Sequence, residues 1–279
     1  MVGKINMVQF CFLRTLLVLS LLFSRDLVYS QVKICSWNIE NIGGSKSKEN
    51  LEYIASIIRD FDVIAIQEVV PSASGVASIV NLTAILNSNK GHWKYLVSQP
   101  TTGSSYKTER YAFIWNTYTV NHKGKAWLEQ KFQQEIDREP FYCTFLYKGK
   151  DFTLSNFHAI TKNMQPETEI KYFKFLPNQY LTHNLIFLGD FNCPETHTVF
   201  IPLKKSGYRS VFQKQKTSLK RECKDSECLA SEFDNIFFDS LKVEVQKSGV
   251  IHFYKDFPSM KKTREISDHI PIWVEFKLK

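Results

Sequence analysis

The sequence has 279 residues, 43% of them hydrophobic and 23% charged, and a formal net charge of +8. It contains no Gly/Ser linker, no low-complexity run and no internal repeat, which excludes a tethered array or a solenoid. A mildly basic balance suits a polyanionic substrate, although surface lysines that only maintain solubility would give the same figure.

Lys4 and Arg14 lead into an apolar stretch, 16–23, and Val28 and Ser30 precede Gln31, the layout of a secretory signal peptide cleaved after Ser30. The apolar run is too short to span a bilayer stably. Cys35 lies inside a strand pattern rather than after a small-residue box, so neither a membrane anchor nor a lipoprotein is expected. Removal of 1–30 takes away Lys4, Arg14, Arg25 and Asp26 and lowers the charge by two. Residues 31–279 suit one exported catalytic domain, because α/β and sandwich folds of roughly 200–250 residues commonly stay single.

Residues 32–38 (VKICSWN) alternate as a strand and end on Asn38. Leu51, Ile54, Ala55, Ile57 and Ile58 fall at helical spacing within 49–59, and the apolar run 63–67 then ends on Glu68. A second helix over 75–86 buries Val76, Ile79, Val80 and Ile85, and this βαβ opening argues for α/β layers. In the middle, 94–98, 110–115, 118–122, 141–147 and 152–158 read as successive strands with short turns, which suggests antiparallel sheet; the last ends on His158. A helical stretch over 167–175 precedes Leu185-Ile186-Phe187-Leu188, which has no alternation and reads as a strand covered on both faces. Strands over 232–238, 242–246 and 270–277 close the chain, with Asp268-His269 at the start of the last. Two mixed sheets packed face to face, with helices outside, account for this order.

A carboxylate at the lip of a buried strand costs free energy unless it is paired, hydrogen-bonded or bound to a cation. For Asp190 and Asn192 alone an ordinary turn explains the residues equally well. The pattern recurs at Glu68 and Asp268, however, and neighbouring strands end on Asn38 and His158. If those strands lie side by side, Asn38, Glu68, Asp190, Asn192, Asp268, His158 and His269 share one rim. Such a rim combines oxygen ligands for a hard cation with two titratable imidazoles.

Of the five cysteines after residue 30, Cys35 and Cys143 occupy strand interiors, where a thiol behaves as a small apolar group. Cys193, Cys223 and Cys228 lie in polar loop sequence, and an exported protein can oxidise two of them. A zinc site at Cys223 and Cys228 is the alternative, disfavoured by the neighbouring Lys220, Arg221 and Lys224.

The blocks WNIENIG (37–43), IAIQEV (64–69), SNFHA (155–159), GDFN (189–192) and SDHIP (267–271) resemble the endonuclease/exonuclease/phosphatase superfamily in order and along nearly the whole chain after residue 30. YKTERYAF (106–113) and DREPF (137–141) narrow the resemblance to its deoxyribonuclease I group. The resemblance implies a deoxyribonuclease I-like α/β (α+β) fold, a four-layer α/β/β/α sandwich, and phosphodiester hydrolysis with a divalent cation. Glu68 resembles the principal metal carboxylate, with Asn38, Asp190 and Asp268 as companions. These oxygen ligands suit Mg2+ or Mn2+, with structural Ca2+ a further expectation. Asn192 matches the amide that holds the scissile phosphate and Arg138 an arginine beside it. His158 with Glu109, and His269 with Asp234, match two histidine–carboxylate pairs. His269 is expected to activate water and His158 to protonate the leaving group, with the reverse assignment open. The resemblance also implies a disulfide from Cys193 to Cys223 or Cys228, the latter being nearer to the segment that carries Asp234.

Three positions depart from that group: Val70 replaces a groove-reading arginine, Phe233-Asp234-Asn235-Ile236 lacks a tyrosine and an arginine, and Glu40 places an acid near the substrate. The expected protein is a secreted monomeric endodeoxyribonuclease that contacts DNA mainly through phosphates, with little sequence specificity. A sphingomyelinase-like lipid or inositol phosphodiesterase, or a toxin-type nuclease subunit, is the second reading. An inactive nucleic-acid- or protein-binding relative is the third, and the filled catalytic positions argue against it.

Overall fold

The computed structural model describes residues 31–88, 90–103 and 108–279. The expected signal peptide and its cleavage point after Ser30 lie outside the described residues, as do Tyr106 and Lys107 of the YKTERYAF block. The first half runs β1 (Val32–Ile42), α1 (Lys48–Ile58), β2 (Val63–Val69), α2 (Ala73–Asn87), β3 (Trp93–Val97), β4 (Arg110–Asn116), β5 (Asn121–Leu128), β6 (Phe141–Tyr147) and β7 (Lys150–His158). Two short helices, α3 (Glu167–Ile170) and α4 (Leu176–Gln179), lead to β8 (Leu185–Asp190), α5 (Ile201–Lys205) and β9 (Tyr208–Ser210). A hairpin of β10 (Leu219–Lys224) and β11 (Glu227–Leu229) follows, then β12 (Asp234–Asp239), β13 (Val243–Val250), α6 (Met260–Thr263) and β14 (Ile272–Leu278).

These strands form two six-stranded sheets, ordered β13-β14-β1-β2-β4-β3 and β5-β6-β7-β8-β12-β9. Each contains one parallel pair, β1 with β2 and β7 with β8, among antiparallel neighbours. Alternation divides the side chains of β1 between two layers. Val32 and Ile34 join Phe113, Phe145, Leu154 and Ile186 between the sheets, while Cys35, Trp37 and Ile39 pack with Leu51, Ile54 and Ile79 of the outer helices. A third cluster, with Phe157, Phe173, Phe187 and Phe237, covers the outer face of the second sheet. The expected four-layer sandwich is therefore the observed one.

The same alternation explains why buried strands end on acids. On the inter-sheet face, Ile34 is followed two residues on by Ser36 and then Asn38, Ala65 by Gln67, Leu154 by Asn156 and His158, and Leu188 by Asp190. Glu109 and Asp234 lie two residues before Tyr111 and Ile236 of that layer. One end of the inter-sheet core is thus built from polar side chains. Gln67 Nε2 donates to Ser36 Oγ (3.1 Å) and across to Asn156 Oδ1 (2.5 Å), and Asn156 Nδ2 donates back to the carbonyls of Ile66 and Ala112 (3.1 and 3.2 Å). At Gly189, φ is +137° and a Cβ would stand 1.9 Å from the Phe157 carbonyl, so only glycine lets β8 run this close to β7.

Four sequence expectations are corrected. The strand expected over 118–122 is Asn121–Leu128, because Asn116 caps a turn through Tyr118 N (3.0 Å) and Thr119 N (3.2 Å) and the strand starts beyond it. The helix expected over 167–175 is broken into α3, a 3-10 turn over Phe173–Phe175 and α4, with Pro177 near the start of the last. The loop around 219–229 is a hairpin, whose turn residues Asp225 and Ser226 both have positive φ (52° and 65°), the conformation that two-residue hairpin loops favour. That turn brings Cys223 and Cys228 into a disulfide with a Cα–Cα distance of 4.2 Å, which excludes the zinc alternative. Cys193 is a free thiol, buried in the outer cluster with Phe191 and Phe200, so the expected Cys193 bridge does not form.

Two outcomes follow from this arrangement. A tryptic map without reduction should show the peptide ending at Lys224 joined to the one beginning at Asp225, with Cys193 alkylated only after unfolding. Asn156→Ala strips Gln67 and two carbonyls of buried partners and should lower unfolding free energy by about 3 kcal/mol, read from the denaturant midpoint.

Candidate active site

The polar end of the inter-sheet core opens into a cleft of about 500 Å³, lined by Glu68, Glu109, Arg138, His158, Asp190, Asn192, Asp268 and His269 among others. Each of the two imidazoles is held by a carboxylate from the opposite sheet. His158, at the end of β7, places Nδ1 2.8 Å from Glu109 Oε2, just ahead of β4. His269, just ahead of β14, places Nδ1 2.6 Å from Asp234 Oδ2, at the start of β12. The outward nitrogens meet the same atom: His158 Nε2 and His269 Nε2 lie 3.5 and 3.6 Å from Asp190 Oδ2.

Supporting bonds fix both couples. Thr217 Oγ1 donates to Asp234 Oδ2 (2.6 Å), and Ser267 Oγ donates to the Asn38 carbonyl (2.6 Å) while accepting from His269 N (2.9 Å). Tyr111 hydroxyl accepts from His158 N (3.1 Å) and donates to the Arg138 carbonyl (3.2 Å). Arg138 bonds Glu109 Oε2 (3.0 Å) through Nη1 and the Ala159 carbonyl (2.5 Å) through Nη2. Asn192 Nδ2 donates to the same carbonyl (3.0 Å), and Asn192 N donates to Asp190 Oδ1 (2.9 Å).

Burial and charge compete within the two couples and at Asp190. Burial disfavours the His269 imidazolium, but Asp234 and then Asp190 outweigh it and raise its pKa well above the ordinary 6.5. At His158 burial is likewise overcome, chiefly by Glu109, and the pKa is raised. Burial pushes Asp190 up, yet the charges of His269 and His158 hold its carboxyl below the usual carboxylate range. Glu109 is lowered in the same way, with His158 and then Arg138 opposing burial.

Residues 35–269 match the sequence profile of the Endonuclease/Exonuclease/phosphatase family. The chain belongs to this family. A mouse protein named deoxyribonuclease gamma is 27% identical over 277 residues, covering 88% of this chain and 84% of the relative. A Thioalkalivibrio protein named deoxyribonuclease is 26% identical over 271 residues, covering 89% of this chain and 72% of the relative. In fold, the chain is similar to a mannosyl-6-phosphatase of Bacteroides thetaiotaomicron, with a TM-score of 0.64, 18% identity and coverage of 88% of this chain and 99% of that one.

Family members are divalent-metal-dependent, and the residues present fit such an ion. Glu68 and Asn38 offer oxygens at the rim. Asn38 Oδ1 is buried without a hydrogen-bond partner among the described residues, while Asn38 Nδ2 bridges Glu68 Oε1 (2.9 Å) and Asp190 Oδ2 (3.1 Å). Glu68 reaches the rim in a left-handed conformation (φ 58°), where the β2 ladder breaks register, and Asn192 has φ 49°. Asp190, Asp234 and His269 also converge within 4.8 Å, but His269 Nδ1 is engaged by Asp234, which marks that group as an oriented imidazole rather than a three-ligand cation site. Asp268 stands apart from Glu68 in its bonding, paired to Arg264 at 3.2 Å.

All ten sequence-predicted residues thus lie at one cleft or directly behind it. Sequence reasoning missed Thr217, Ser267 and Tyr111, which orient the two couples, and Arg221 and Arg264 in the cleft wall. Ser267 was legible within the SDHIP block; Thr217 and Arg221 required recognition of the hairpin.

The pH behaviour follows from the raised imidazoles. A histidine with a raised folded pKa contributes stability that is complete below its unfolded value of ~6.5 and is lost as pH rises through the folded value. NMR titration in chelator should therefore show His269 holding its proton well above ~6.5. Asp234→Asn should return it toward that value and remove the corresponding stability. An unmoved His269 titration in Asp234→Asn would break the assignment.

Proposed function

We propose that the chain is an exported, monomeric endodeoxyribonuclease that hydrolyses DNA phosphodiester bonds with little sequence specificity. In this reading Mg2+ or Mn2+ is held through Glu68 and Asn38, with Asp190 and Asp268 alongside. The observation that carries the reading is the two cross-sheet imidazole–carboxylate couples, whose Nε2 atoms lie 3.5 and 3.6 Å from one Asp190 oxygen. The names of the curated relatives supply the DNA substrate. Export through residues 1–30 accords with the Cys223–Cys228 disulfide, a bond of oxidising compartments. No helix among the described residues is long and apolar enough to cross a membrane.

Phosphodiester hydrolysis needs an activated water, charge neutralisation on the phosphoryl oxygens and a proton for the departing oxygen. A bound divalent cation supplies part of that neutralisation. In its neutral form, which its raised pKa places toward alkaline pH, His269 Nε2 accepts the proton of the attacking water, while Asp234 fixes its tautomer and stabilises the resulting imidazolium. His158 Nε2 delivers a proton to the leaving oxygen, and Glu109 keeps it charged until then. Asn192 orients the scissile phosphate through its side-chain amide. Arg138 adds positive charge behind the site, since its terminal nitrogens are bonded to Glu109 and to the Ala159 carbonyl.

Parallel incubation with supercoiled plasmid, RNA and sphingomyelin, with and without chelator, tests the proposal. Plasmid nicking that disappears in chelator is expected. Undiminished cleavage in chelator, or turnover of sphingomyelin alone, would overturn it. His158→Ala and His269→Ala should each lose ~10²–10⁴-fold in turnover while keeping native circular dichroism.

A further inference from the structure

The β10–β11 hairpin is not needed to complete either sheet, yet it is built onto the site. Leu219 N donates to the Asp268 carbonyl (2.7 Å), Ile270 N donates to the Thr217 carbonyl (2.8 Å), and Ser218 bridges His269. The hairpin therefore projects from the backbone that carries Asp268 and His269. Its arms are stiffened by the Cys223–Cys228 disulfide and by Glu227, which pairs with Lys216 and with Lys220 (3.1 Å). A cross-linked arm loses less conformational freedom on binding than an open loop.

Three arginines line the cleft, Arg138, Arg221 and Arg264. Arg138 is committed to Glu109 and Ala159, and Arg264 to Asp268 (3.2 Å) and Glu40 (3.6 Å). Arg221, in the middle of β10, is exposed, and its side chain forms no hydrogen bond or ion pair among the described residues. The acid of the facing strand does not serve it: Glu227 is taken by two lysines. A free guanidinium on a stiff arm beside two acid–base couples is a receptor for a second anion. The hydrolytic machinery already addresses the scissile phosphate, so that anion is a neighbouring phosphate, which a polynucleotide has and a phosphomonoester lacks.

We propose that Arg221, presented by the disulfide-closed hairpin, contacts a backbone phosphate flanking the scissile bond and so selects polynucleotide substrates. The proposal rests on the nuclease reading above and specifies its substrate recognition.

The test measures binding of a fluorescent 20-base-pair duplex to the full chain with magnesium, in a His269→Ala background that spares the duplex, across a salt series. One phosphate contact adds a slope of about −0.9 to log affinity against log salt, which at ~0.1 M amounts to about eightfold in affinity. Arg221→Ala should weaken binding by about eightfold and flatten the slope by about 0.9, and Arg221→Lys should restore the slope. Slopes that coincide in the parent and Arg221→Ala, or a parent that binds no duplex, would overturn the inference. Wild-type protein that leaves DNA uncut while the parent binds it with an Arg221-dependent slope would sink the nuclease reading and leave this contact standing.

Discussion

The cleft depends on one buried contact between the sheets, Gln67 with Asn156. Gln67 precedes Glu68 on β2, and Asn156 lies two residues before His158 on β7, so this bond sets the first sheet's rim against the second's. Apolar side chains between sheets hold them together but tolerate sliding, because burial is non-directional. An amide pair with further bonds to Ser36 and to the carbonyls of Ile66 and Ala112 is directional and holds one register. Because each imidazole and its carboxylate come from different sheets, a small slide would separate both couples at once.

The site is therefore an extension of the core rather than a decoration on loops. Along each inner strand face the alternation continues unchanged while the residue type switches from apolar to polar. Groups placed this way are nearly fully buried, and their charges persist only because opposite charges are buried with them. Burial opposes the charges of both couples; the partner's charge outweighs it at Glu109, His158 and His269, whereas at Asp234 burial prevails over His269 and raises the carboxyl.

Much of this was legible in the sequence. Runs such as Leu185–Leu188 followed by Asp190 announce a buried strand with a polar lip, and the ordered blocks announce which lips converge. The two-sheet layering followed from strand order, since local periodicity and the βαβ opening do not depend on distant contacts. The hairpin and its disulfide were not legible, because LKRECKDSECL shows weak alternation and its turn relies on Asp225 and Ser226 accepting positive φ. A family-derived Cys193 bridge failed for a local reason: the hairpin closes on itself, and Cys193 is occupied in packing against phenylalanines. The support given by Thr217 was hidden for the same cause, since it reaches Asp234 only through the hairpin's stem.

Charge balance in the cleft then singles out one carboxylate. Glu109 is matched by Arg138 and His158, Asp234 by His269, and Asp268 by Arg264. Asp190 lies between the two imidazoles and also accepts from Asn192 N and Asn38 Nδ2. Among the described residues Glu68 accepts hydrogen bonds from neutral donors, Asn38 Nδ2 at 2.9 Å and Asn41 N at 3.0 Å, with the His158 Nε2 imidazole at 3.9 Å. It also occupies a left-handed backbone conformation that an ordinary glutamate avoids at a cost of about 1–2 kcal/mol. A carboxylate in a left-handed backbone at the cleft rim, hydrogen-bonded by neutral donors and 3.9 Å from His158 Nε2, beside a buried amide oxygen without a partner among the described residues, fits a divalent cation. The fit of such an ion thus follows from the oxygens that the fold leaves with the least compensation.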